Sequence, residues 1–376
     1  MKTLGSTATM TATAGERGNL AGLSGYQPAL DGLRGIAVLL VMGFHARLPP
    51  LGSGFLGVDV FFVLSGYLIS ALLFKDLLSA GKIRYSRFFV NRFLRLVPAL
   101  FLMLATFVLV APVLWGLAPD EIWAEVLLVF FYVADYPIAI RGIPDLLSHA
   151  WSLAVEERFY LVWPFFLAWA WRERNVGRLA LAVVVLLACV TVWRGVWAFS
   201  VPGWNVTYYR FDTRVSGLLA GALLFLALWK FDFSRIVRIA RVTLWVSAAL
   251  LVLVVRPAWG KSASLIAGIP LVEVLTMSVI VLGLVRDSVV QRFLCQRWLV
   301  NVGKISYGLY LWHYPIFRYM RPDHESWWVL LAGGSLSFIG AWISWVTVER
   351  WARWVRRRWQ QKRDTAQSAD ASSVPQ

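Results

Sequence analysis

The chain has little cysteine, and its amino-terminal segment has no long apolar run. Its 376 residues include two cysteines, Cys189 and Cys295, which excludes a disulfide framework. No cluster of Cys and His has the spacing of a zinc site, so we expect no metal. Residues 1–27 are rich in Thr, Ala, Gly and Ser and contain no apolar core of a signal peptide, which predicts a disordered cytoplasmic tail.

Negative charge is also scarce. The chain has 21 Asp and Glu against 37 Lys and Arg, which gives a formal net charge of +16. Such a balance can indicate nucleic-acid binding. Here, however, the basic residues fall in short loops between apolar runs, as the positive-inside rule expects of a membrane protein. We therefore expect no nucleic acid among the partners of this protein.

Apolar side chains, by contrast, are abundant: 59% of the residues are hydrophobic, 21 are Trp, and the mean hydropathy is +0.64. A water-soluble domain of this size would not need so much apolar surface, because its exterior must stay polar. Apolar runs of about twenty residues recur along the chain and are continuous rather than alternating. This pattern predicts an all-α, polytopic integral membrane helix bundle rather than a β-barrel.

The apolar runs predict about ten transmembrane helices in a membrane domain that covers residues 28–350. A tail that is first basic and then polar follows at 351–376 and is expected to be cytoplasmic. The ten segments lie near 30–48, 55–74, 97–117, 152–171, 179–199, 211–229, 242–256, 264–285, 299–320 and 327–348.

An eleventh segment, near 121–140, is less apolar because it contains Glu121, Glu125 and Asp135. If this segment does not cross the membrane, every basic loop and the basic carboxyl terminus fall on the cytoplasmic side. If it crosses, every later basic cluster falls outside. We therefore predict a re-entrant or interfacial segment in an outer-face loop, a cytoplasmic (inner) membrane location, and two cytoplasmic termini.

Two ionisable side chains, Arg34 and His45, lie within the first apolar segment. Ionisable groups are costly in hydrocarbon, so their presence indicates an intramembrane site with paired groups. Eleven residues correspond to ~16 Å of helix rise, about half the thickness of a hydrocarbon core. Arg34 is therefore expected near the cytoplasmic side and His45 in the outer half of the membrane.

The predicted topology sorts the other polar residues of the apolar segments by depth. A neutral imidazole can accept a hydroxyl proton and a carboxylate can orient it, whereas guanidinium groups match phosphate oxygens. The two groups predict a phosphorylated donor that arrives from the cytoplasm and an acceptor that arrives from outside. The outer group is His45, Asp59, His149, Glu156, Glu157, Arg210, Asp212, Arg214, Tyr307, Tyr310 and His313, and the inner group is Arg34, Arg92 and Arg95.

Several motifs stand in a fixed order between about residues 26 and 348. They are LDGLR (30–34) with His45 eleven residues after Arg34, GFLGVDVFFVLSGYLIS (54–70), RFFVNRFLRLVP (87–98), WSLAVEERFYLVWP (151–164), RFD (210–212) and ISYGLYLWHYP (305–315). Together they resemble the membrane acyltransferase-3 family. The resemblance implies transfer of an acyl group, commonly acetyl from acetyl-CoA, to a hydroxyl of an extracytoplasmic carbohydrate or glycoside. It also leads us to expect a stand-alone form without a hydrolase-like domain.

The residues and the resemblance together predict a role for each candidate. We expect His45 to be the catalytic base, with Glu156 or Asp59 as its partner. Acetyl-CoA or another acyl-CoA is the expected cofactor, its phosphates bound by Arg34, Arg92 and Arg95. The residues expected to bind the acceptor are His149, Glu157, Arg210, Asp212, Tyr310 and His313.

Several alternatives stay open at this point. His45 could be a structural histidine, Asp59 a helix cap, and the basic residues topology signals or, for Arg34, a snorkelling side chain. Glu157 could pair with Arg158 or Arg210. A proton-coupled transporter of a sugar or lipid would use the same histidines and carboxylates. The identity of the acceptor, the acyl chain length, an acyl-enzyme intermediate and a homo-oligomer are open as well; membrane lipids are expected partners in every case.

Overall fold

A computed structural model describes the backbone of residues 25–372 and the side chains of residues 25–361. The disordered tail predicted for residues 1–27 lies outside the described residues except for its last three positions. The end of the tail predicted at 351–376 also lies outside them. Between residues 25 and 372 the chain is helical and has no β-strand. The all-α fold class predicted from the sequence is confirmed.

The longer α-helices of the described chain are labelled in order. They are α1 (Pro28–His45), α2 (Gly57–Ala80), α3 (Tyr85–Trp115), α4 (Pro119–Phe130), α5 (Asp135–Arg141), α6 (Trp151–Ala170), α7 (Val176–Ser200), α8 (Ser216–Lys230), α9 (Phe233–Ala249), α10 (Ile269–Leu284), α11 (Val289–Leu294), α12 (Arg297–Lys304), α13 (Ser306–Met320), α14 (Gly334–Val346) and α15 (Val348–Ser372). Short π-helical turns follow α9 and precede α10 and α14.

Seven helical segments of the described chain are long and apolar enough to cross a membrane. All seven coincide with predicted spans, and they confirm a polytopic membrane helix bundle. The segments are Pro28–His45, Gly54–Ala80, Tyr85–Trp115, Val176–Ser200, Phe233–Val255, Ser264–Leu284 and Ser326–Gln361.

The three other predicted spans coincide with helices that differ from these seven in length or polarity. α8 and α13 have 15 residues each, which corresponds to ~22 Å of rise, less than a hydrocarbon core of ~30 Å. α6 has 20 residues but carries adjacent ionisable side chains, Glu156, Glu157 and Arg158, in its interior. The number of ten spans therefore stays a prediction.

The segment near 121–140 is broken into two short helices, α4 and α5, of 12 and 7 residues. Neither is long enough to cross a membrane, since 12 residues rise only ~18 Å. The break lies at Tyr132, whose φ of 54° places its backbone in the left-handed region. The buried Glu125 carboxylate accepts hydrogen bonds from the backbone N–H groups of Asp145, Leu146 and Leu147. One acidic residue of the non-crossing segment thus fixes the loop that precedes α6.

The carboxyl-terminal helix α15 continues through the region predicted as a tail. It packs along α3, and the side-chain amide of Gln360 donates a hydrogen bond to Asn91 at 3.2 Å. The basic part of the predicted tail is therefore helical as far as the structure describes it, and it lies beside α3.

The most extensive helix contact of the described chain joins α2 and α8, and two glycines make it possible. A Cβ atom on Gly66 would lie 1.9 Å from the carbonyl oxygen of Leu218, and one on Gly221 would lie 2.0 Å from that of Val63. Small residues let transmembrane helices approach to backbone contact. The two helices are thereby held in one register, which fixes the position of every side chain between them.

We expect Gly221→Ala to lower the free energy of unfolding by about 1–3 kcal/mol, because the added methyl group overpacks a backbone contact. Gly195→Ala is the matched control, since Gly195 also lies in a helix but a Cβ there would meet nothing within 4 Å. That variant should be unchanged or slightly stabilised. Thermal unfolding of the purified protein in detergent measures both, and equal midpoints for the two variants would contradict the packing argument.

Candidate active site

Helix α1 carries both groups that the sequence singles out in the first span. It begins with Pro28 at its first position and Asp31 in its first turn, both favourable at a helix amino terminus. It ends at His45, and Arg47 then turns the chain away with a φ of 60°. Arg34 and His45 are eleven residues apart, which leaves their side chains only ~20° apart around the helix axis. The two groups therefore lie at different depths on one face of α1.

The imidazole of His45 is hydrogen-bonded to that of His313 on α13. His45 Nδ1 lies 3.0 Å from His313 Nε2. His313 Nδ1 lies 2.7 Å from the carbonyl oxygen of Tyr310 and 3.1 Å from that of Leu309, and both can only accept. In a neutral His313 ring, Nδ1 therefore carries the hydrogen and Nε2 accepts one from His45 Nδ1. This assignment leaves the lone pair of His45 on Nε2, where it can take up a proton.

The prediction that Glu156 or Asp59 is the partner of His45 is wrong. Asp59 Oδ1 instead accepts a hydrogen bond from Arg214 at 2.8 Å, in an ion pair that is fully buried. Glu156 accepts from the Ser65 hydroxyl at 2.8 Å and the Tyr160 hydroxyl at 3.0 Å. The described residues contain no hydrogen bond from His45 to either carboxylate. A buried carboxylate requires a cation or several hydrogen-bond donors. Asp59 has Arg214, and Glu156 has two hydroxyl groups, so neither carboxylate depends on His45.

His45 lines a cavity of about 360 Å³, here called the histidine cavity. Its other ionisable or polar lining residues include His149, Arg47, Arg321 and Ser148. The remaining lining is apolar or aromatic and consists of Val41, Phe44, Phe55, Val58, Trp151, Tyr208, Tyr209, Trp259, Tyr310 and Tyr314. The predicted base therefore faces a space large enough for a small ligand group, with few polar side chains to orient it.

Two residues predicted to bind the acceptor, His149 and Tyr310, are brought to the histidine cavity. The ring of His149 is 3% exposed and stacks on Tyr314 at 4.9 Å between centroids. Neither of its nitrogens has a hydrogen-bond partner among the described residues. The Tyr310 hydroxyl donates to the His149 carbonyl oxygen at 2.6 Å and lies 2.7 Å from the Ser152 hydroxyl. His149 thus offers one donor and one acceptor to whatever fills the cavity.

A smaller cavity of about 50 Å³, here called the arginine cavity, lies beside the histidine cavity. Val58 and Tyr310 line both of them. The arginine cavity is also lined by Arg34, whose buried Nε has no partner in the described structure, and by Glu156. The two cavities therefore follow one another along α1, separated by the side chains of Val58 and Tyr310.

A third cavity, of about 190 Å³, lies between α3, α12 and α15 and is here called the terminal-helix cavity. Arg95 lines it, and Arg95 interacts electrostatically with both Arg34 and Arg92. Arg92 itself lies with its guanidinium 3.7 Å from the centroid of the Tyr160 ring. The three predicted phosphate ligands are thus gathered in one region. The cavity adds basic side chains for which the sequence gave no ligand signal, namely Lys304, Arg353 and Arg356.

Four other residues predicted to bind the acceptor do not line the described cavities: Glu157, Arg210, Asp212 and His313, the last of which contacts His45 instead. Arg210 bonds both carboxylate oxygens of Asp212, at 2.9 and 2.7 Å, and lies 3.6 Å from the Trp197 ring centroid. Glu157 follows Glu156 by ~100° around α6 and therefore faces away from the arginine cavity. A residue that satisfies its charge locally, as Arg210 and Asp212 do, is not oriented toward a ligand.

The alternative pairing considered for Glu157 is wrong. Arg158 forms its ion pair with Asp135, and Arg210 forms its own with Asp212. Oε1 of Glu157 is buried and has no hydrogen-bond partner in the described part of the chain. Glu157 interacts electrostatically with the positive charge of Arg92. Glu157 therefore belongs to the surroundings of Arg92 rather than to the histidine cavity.

Behind the aromatic wall of the histidine cavity lies a buried network of charges. Asp59 and Arg214 form one pair, and the second pair is Arg194 and Glu273, 3.9 Å apart and bridged by the Ser216 hydroxyl. The Arg214 guanidinium lies 4.4 Å from the centroid of the Tyr208 ring, which lines the cavity. The network joins α2, α7, α8 and α10 and supports the wall from behind.

A family model described as an acyltransferase domain matches residues 27–346. The chain belongs to this acyltransferase family. The resemblance that the sequence motifs indicate is thereby confirmed, and it covers all of the helices that form the histidine and arginine cavities.

Three curated relatives illustrate what members of the family are. The peptidoglycan O-acetyltransferase OatA of Listeria monocytogenes is 32% identical over 322 residues, which is 80% of this chain and 51% of that protein. The O-acetyltransferase OatA of Staphylococcus aureus is 29% identical over 79% of this chain and 51% of its own length. The putative peptidoglycan O-acetyltransferase YrhL of Bacillus subtilis is 32% identical, over 80% and 50%. The chain spans about half the length of these relatives, and no solved structure matches it.

The sequence analysis missed several residues of the histidine cavity: Arg47, Tyr209, Trp259, Tyr314 and Arg321. Trp259 could not be distinguished among 21 tryptophans. The two arginines did carry a signal. They stand at the ends of predicted spans on the outer face, where the positive-inside rule expects few basic residues.

We expect Asp59→Ala to lower the free energy of unfolding by about 3–5 kcal/mol, because it leaves the buried charge of Arg214 unpaired. The double variant Asp59→Leu with Arg214→Met should recover much of this loss, since neither charge is then buried alone. Glu173→Ala, which breaks an exposed ion pair with Arg178, should change stability by less than about 1 kcal/mol. Thermal unfolding in detergent tests the three, and a wild-type midpoint for Asp59→Ala would argue against the network.

Proposed function

We propose that the protein is a membrane O-acetyltransferase. It moves an acetyl group from acetyl-CoA, bound from the cytoplasm, to a hydroxyl of a cell-envelope carbohydrate on the outer side of the inner membrane, with both termini of the chain in the cytoplasm. The observation that carries this proposal is the arrangement along α1: a histidine with a free Nε2 faces one cavity, and an arginine on the same helix face lines the next. The names of the Listeria and Bacillus relatives, which include peptidoglycan, support an envelope carbohydrate as acceptor.

The proposed reaction needs one base and two substrates. His45 Nε2 takes the proton from the acceptor hydroxyl, and the oxygen attacks the thioester carbonyl carbon of acetyl-CoA. The carbon–sulfur bond then breaks, the CoA thiolate leaves, and it takes the proton from His45. The products are an acetyl ester and CoA with a free thiol. His313 contributes by accepting the Nδ1 hydrogen of His45, which keeps the lone pair on the nitrogen that faces the cavity.

The donor is proposed to bind on the other side of the Val58 and Tyr310 boundary. Its phosphates meet the guanidinium groups of Arg34, Arg92 and Arg95, which can bind phosphate oxygens in pairs. The arginine cavity is about 50 Å³, so the acyl-carrying arm of the donor reaches His45 only when Val58 and Tyr310 move apart. Glu156 lines this path, and its bonds with Ser65 and Tyr160 give it a role in shaping the path rather than in assisting His45.

We expect His45→Ala to reduce acetyl transfer by about 10²–10⁴-fold, the usual contribution of a positioned general base. His324→Ala is the matched control, because this exposed histidine lines none of the cavities described above, and its activity should stay at the wild-type level. The measurement uses purified protein, radiolabelled acetyl-CoA and a panel of hydroxylated acceptors, and follows labelled product and free CoA.

The same measurement separates the transferase from the transporter. Acceptor-dependent release of CoA that is lost in His45→Ala supports the transferase. If CoA neither binds nor turns over, and proton-coupled uptake of a solute appears in vesicles instead, the transporter is correct and the arginines are topology signals.

We expect Arg34→Ala to raise the KM for acetyl-CoA by about tenfold or more, which corresponds to the ~1.5–3 kcal/mol of a charge-assisted hydrogen bond. The KM for the acceptor should change less, because Arg34 does not line the histidine cavity. Arg238→Ala removes an exposed basic side chain that lines none of the described cavities and serves as the control. An unchanged donor KM in Arg34→Ala would remove Arg34 from the donor site.

A further inference from the structure

The histidine cavity is positively charged and has no counter-charge of its own. Two arginines line it, Arg47 and Arg321, together with two histidines. None of its lining residues, all of which belong to the described chain, is Asp or Glu. A cavity that must hold only a neutral sugar beside a general base has no need for two guanidinium groups.

Arg321, in the turn after α13, lacks the partner that other partly buried arginines in this part of the protein have. Arg158, Arg210 and Arg318 each form an ion pair with an aspartate, whereas Arg321 forms none among the described residues. Its Nε and Nη2 atoms are buried without a hydrogen-bond partner. Burial is the main cause that lowers the pKa of Arg321. The Tyr314 phenol opposes this shift, and the neighbouring cations Arg318 and Arg47 lower the pKa further. An anion placed in the cavity would relieve both effects.

Arg47 is held beside the cavity by a constrained backbone. Its φ of 60° lies in the left-handed region, which is uncommon for a residue that has a side chain. Two hydrogen bonds fix this turn: the backbone N–H of Arg47 donates to the Phe44 carbonyl oxygen at 2.9 Å, and its own carbonyl accepts from the Ser326 hydroxyl at 3.0 Å. These two bonds fix the position of the Arg47 backbone at the edge of the cavity.

A cluster of aromatic rings, inclined to one another, forms another part of the same cavity. Trp259 lies 4.2 Å from Trp204 and 4.9 Å from Tyr208 between ring centroids, and its side chain is partly exposed. Indole and phenol faces pack well against the C–H face of a sugar ring. The cavity therefore combines a surface for a sugar, a base for its hydroxyl and two cations for a negative group.

We propose that the acceptor is an anionic saccharide, whose carboxylate or phosphate group binds Arg47 and Arg321 while its sugar ring lies on Trp259 and a hydroxyl faces His45. This inference rests on the proposed function and names its acceptor class. The phosphates of the donor are not the anion in question, because the donor is bound by Arg34 and its neighbours beyond Val58 and Tyr310.

The test compares matched acceptors that differ in one group. They are a glucose disaccharide, the same disaccharide with its terminal sugar oxidised to glucuronic acid, the amide of that acid, and the disaccharide carrying a phosphate monoester. For the wild-type protein we expect kcat/KM to be at least tenfold higher for an anionic acceptor than for the neutral disaccharide and the amide. The carboxylate and phosphate acceptors distinguish the two sources of negative charge.

The charge preference is the ratio of kcat/KM for the anionic acceptor to kcat/KM for the neutral one. The variants Arg321→Gln and Arg47→Gln should each bring this ratio close to one, mainly by raising the KM for the anionic acceptor. Arg256→Gln is the matched control. Arg256 is also an exposed arginine with a left-handed backbone, with a φ of 44°, but it does not line the histidine cavity. The charge preference of Arg256→Gln should equal that of the wild type.

Two results would overturn the inference while leaving the transferase intact. One is equal turnover of charged and neutral acceptors by the wild type. The other is a preference that survives in Arg321→Gln and Arg47→Gln although all rates fall, which would place the arginines in the reaction rather than in acceptor recognition.

Calorimetric binding of the glucuronic-acid disaccharide separates failure of this inference from failure of the proposed function. If no acceptor is acetylated and no CoA is released, the proposed function fails. Tighter binding of the acid than of its amide, lost in Arg321→Gln, would still support the anion site, and equal binding would overturn it.

Discussion

The hydrogen bond between His45 and His313 connects two helices that are far apart in the sequence and sets the chemistry of the cavity between them. Because His313 is tied by Nδ1 to carbonyl oxygens of its own helix, it has only an acceptor to offer, and His45 must present its lone pair to the cavity. Two neutral imidazole rings thus orient the lone pair of His45 without the help of a carboxylate. In a bilayer, where an uncompensated charge is costly, this pairing orients His45 without placing a further charge on the two rings.

The cost of an uncompensated charge in a bilayer also explains how the charges are distributed in the rest of the bundle. Asp59 with Arg214, and Arg194 with Glu273, form ion pairs deep inside and contribute to holding four helices together. Three residues with buried nitrogens that lack a hydrogen-bond partner in the described structure border a cavity: Arg34 at the arginine cavity, and His149 and Arg321 at the histidine cavity. Paired charges therefore belong to the framework, and the unpaired ones of these cavities indicate where substrates supply the missing partner.

The sequence predicted those parts of the structure that depend on local patterns. Apolar runs predicted the helices, and the charge of the loops predicted that 121–140 does not cross. One helical spacing placed Arg34 and His45 on α1. The partner of His45 could not be predicted, because its hydrogen bond joins residues 268 positions apart and depends on how α1 packs against α13. For the same reason the ion pair of Asp59 could not be predicted. Arg214 lies opposite Asp59 only because Gly66 and Gly221 bring α2 and α8 together, and a linear pattern does not show this.

The boundary formed by Val58 and Tyr310 has a consequence for the energy supply of the cell. A protein that presents polar cavities at successive depths of a bilayer risks becoming a water-filled leak, through which the proton gradient would dissipate. Tyr310 is anchored at its hydroxyl to the His149 carbonyl and to Ser152, so in the resting protein its ring stands between the two cavities until the donor arm displaces it. At rest, this boundary insulates the membrane.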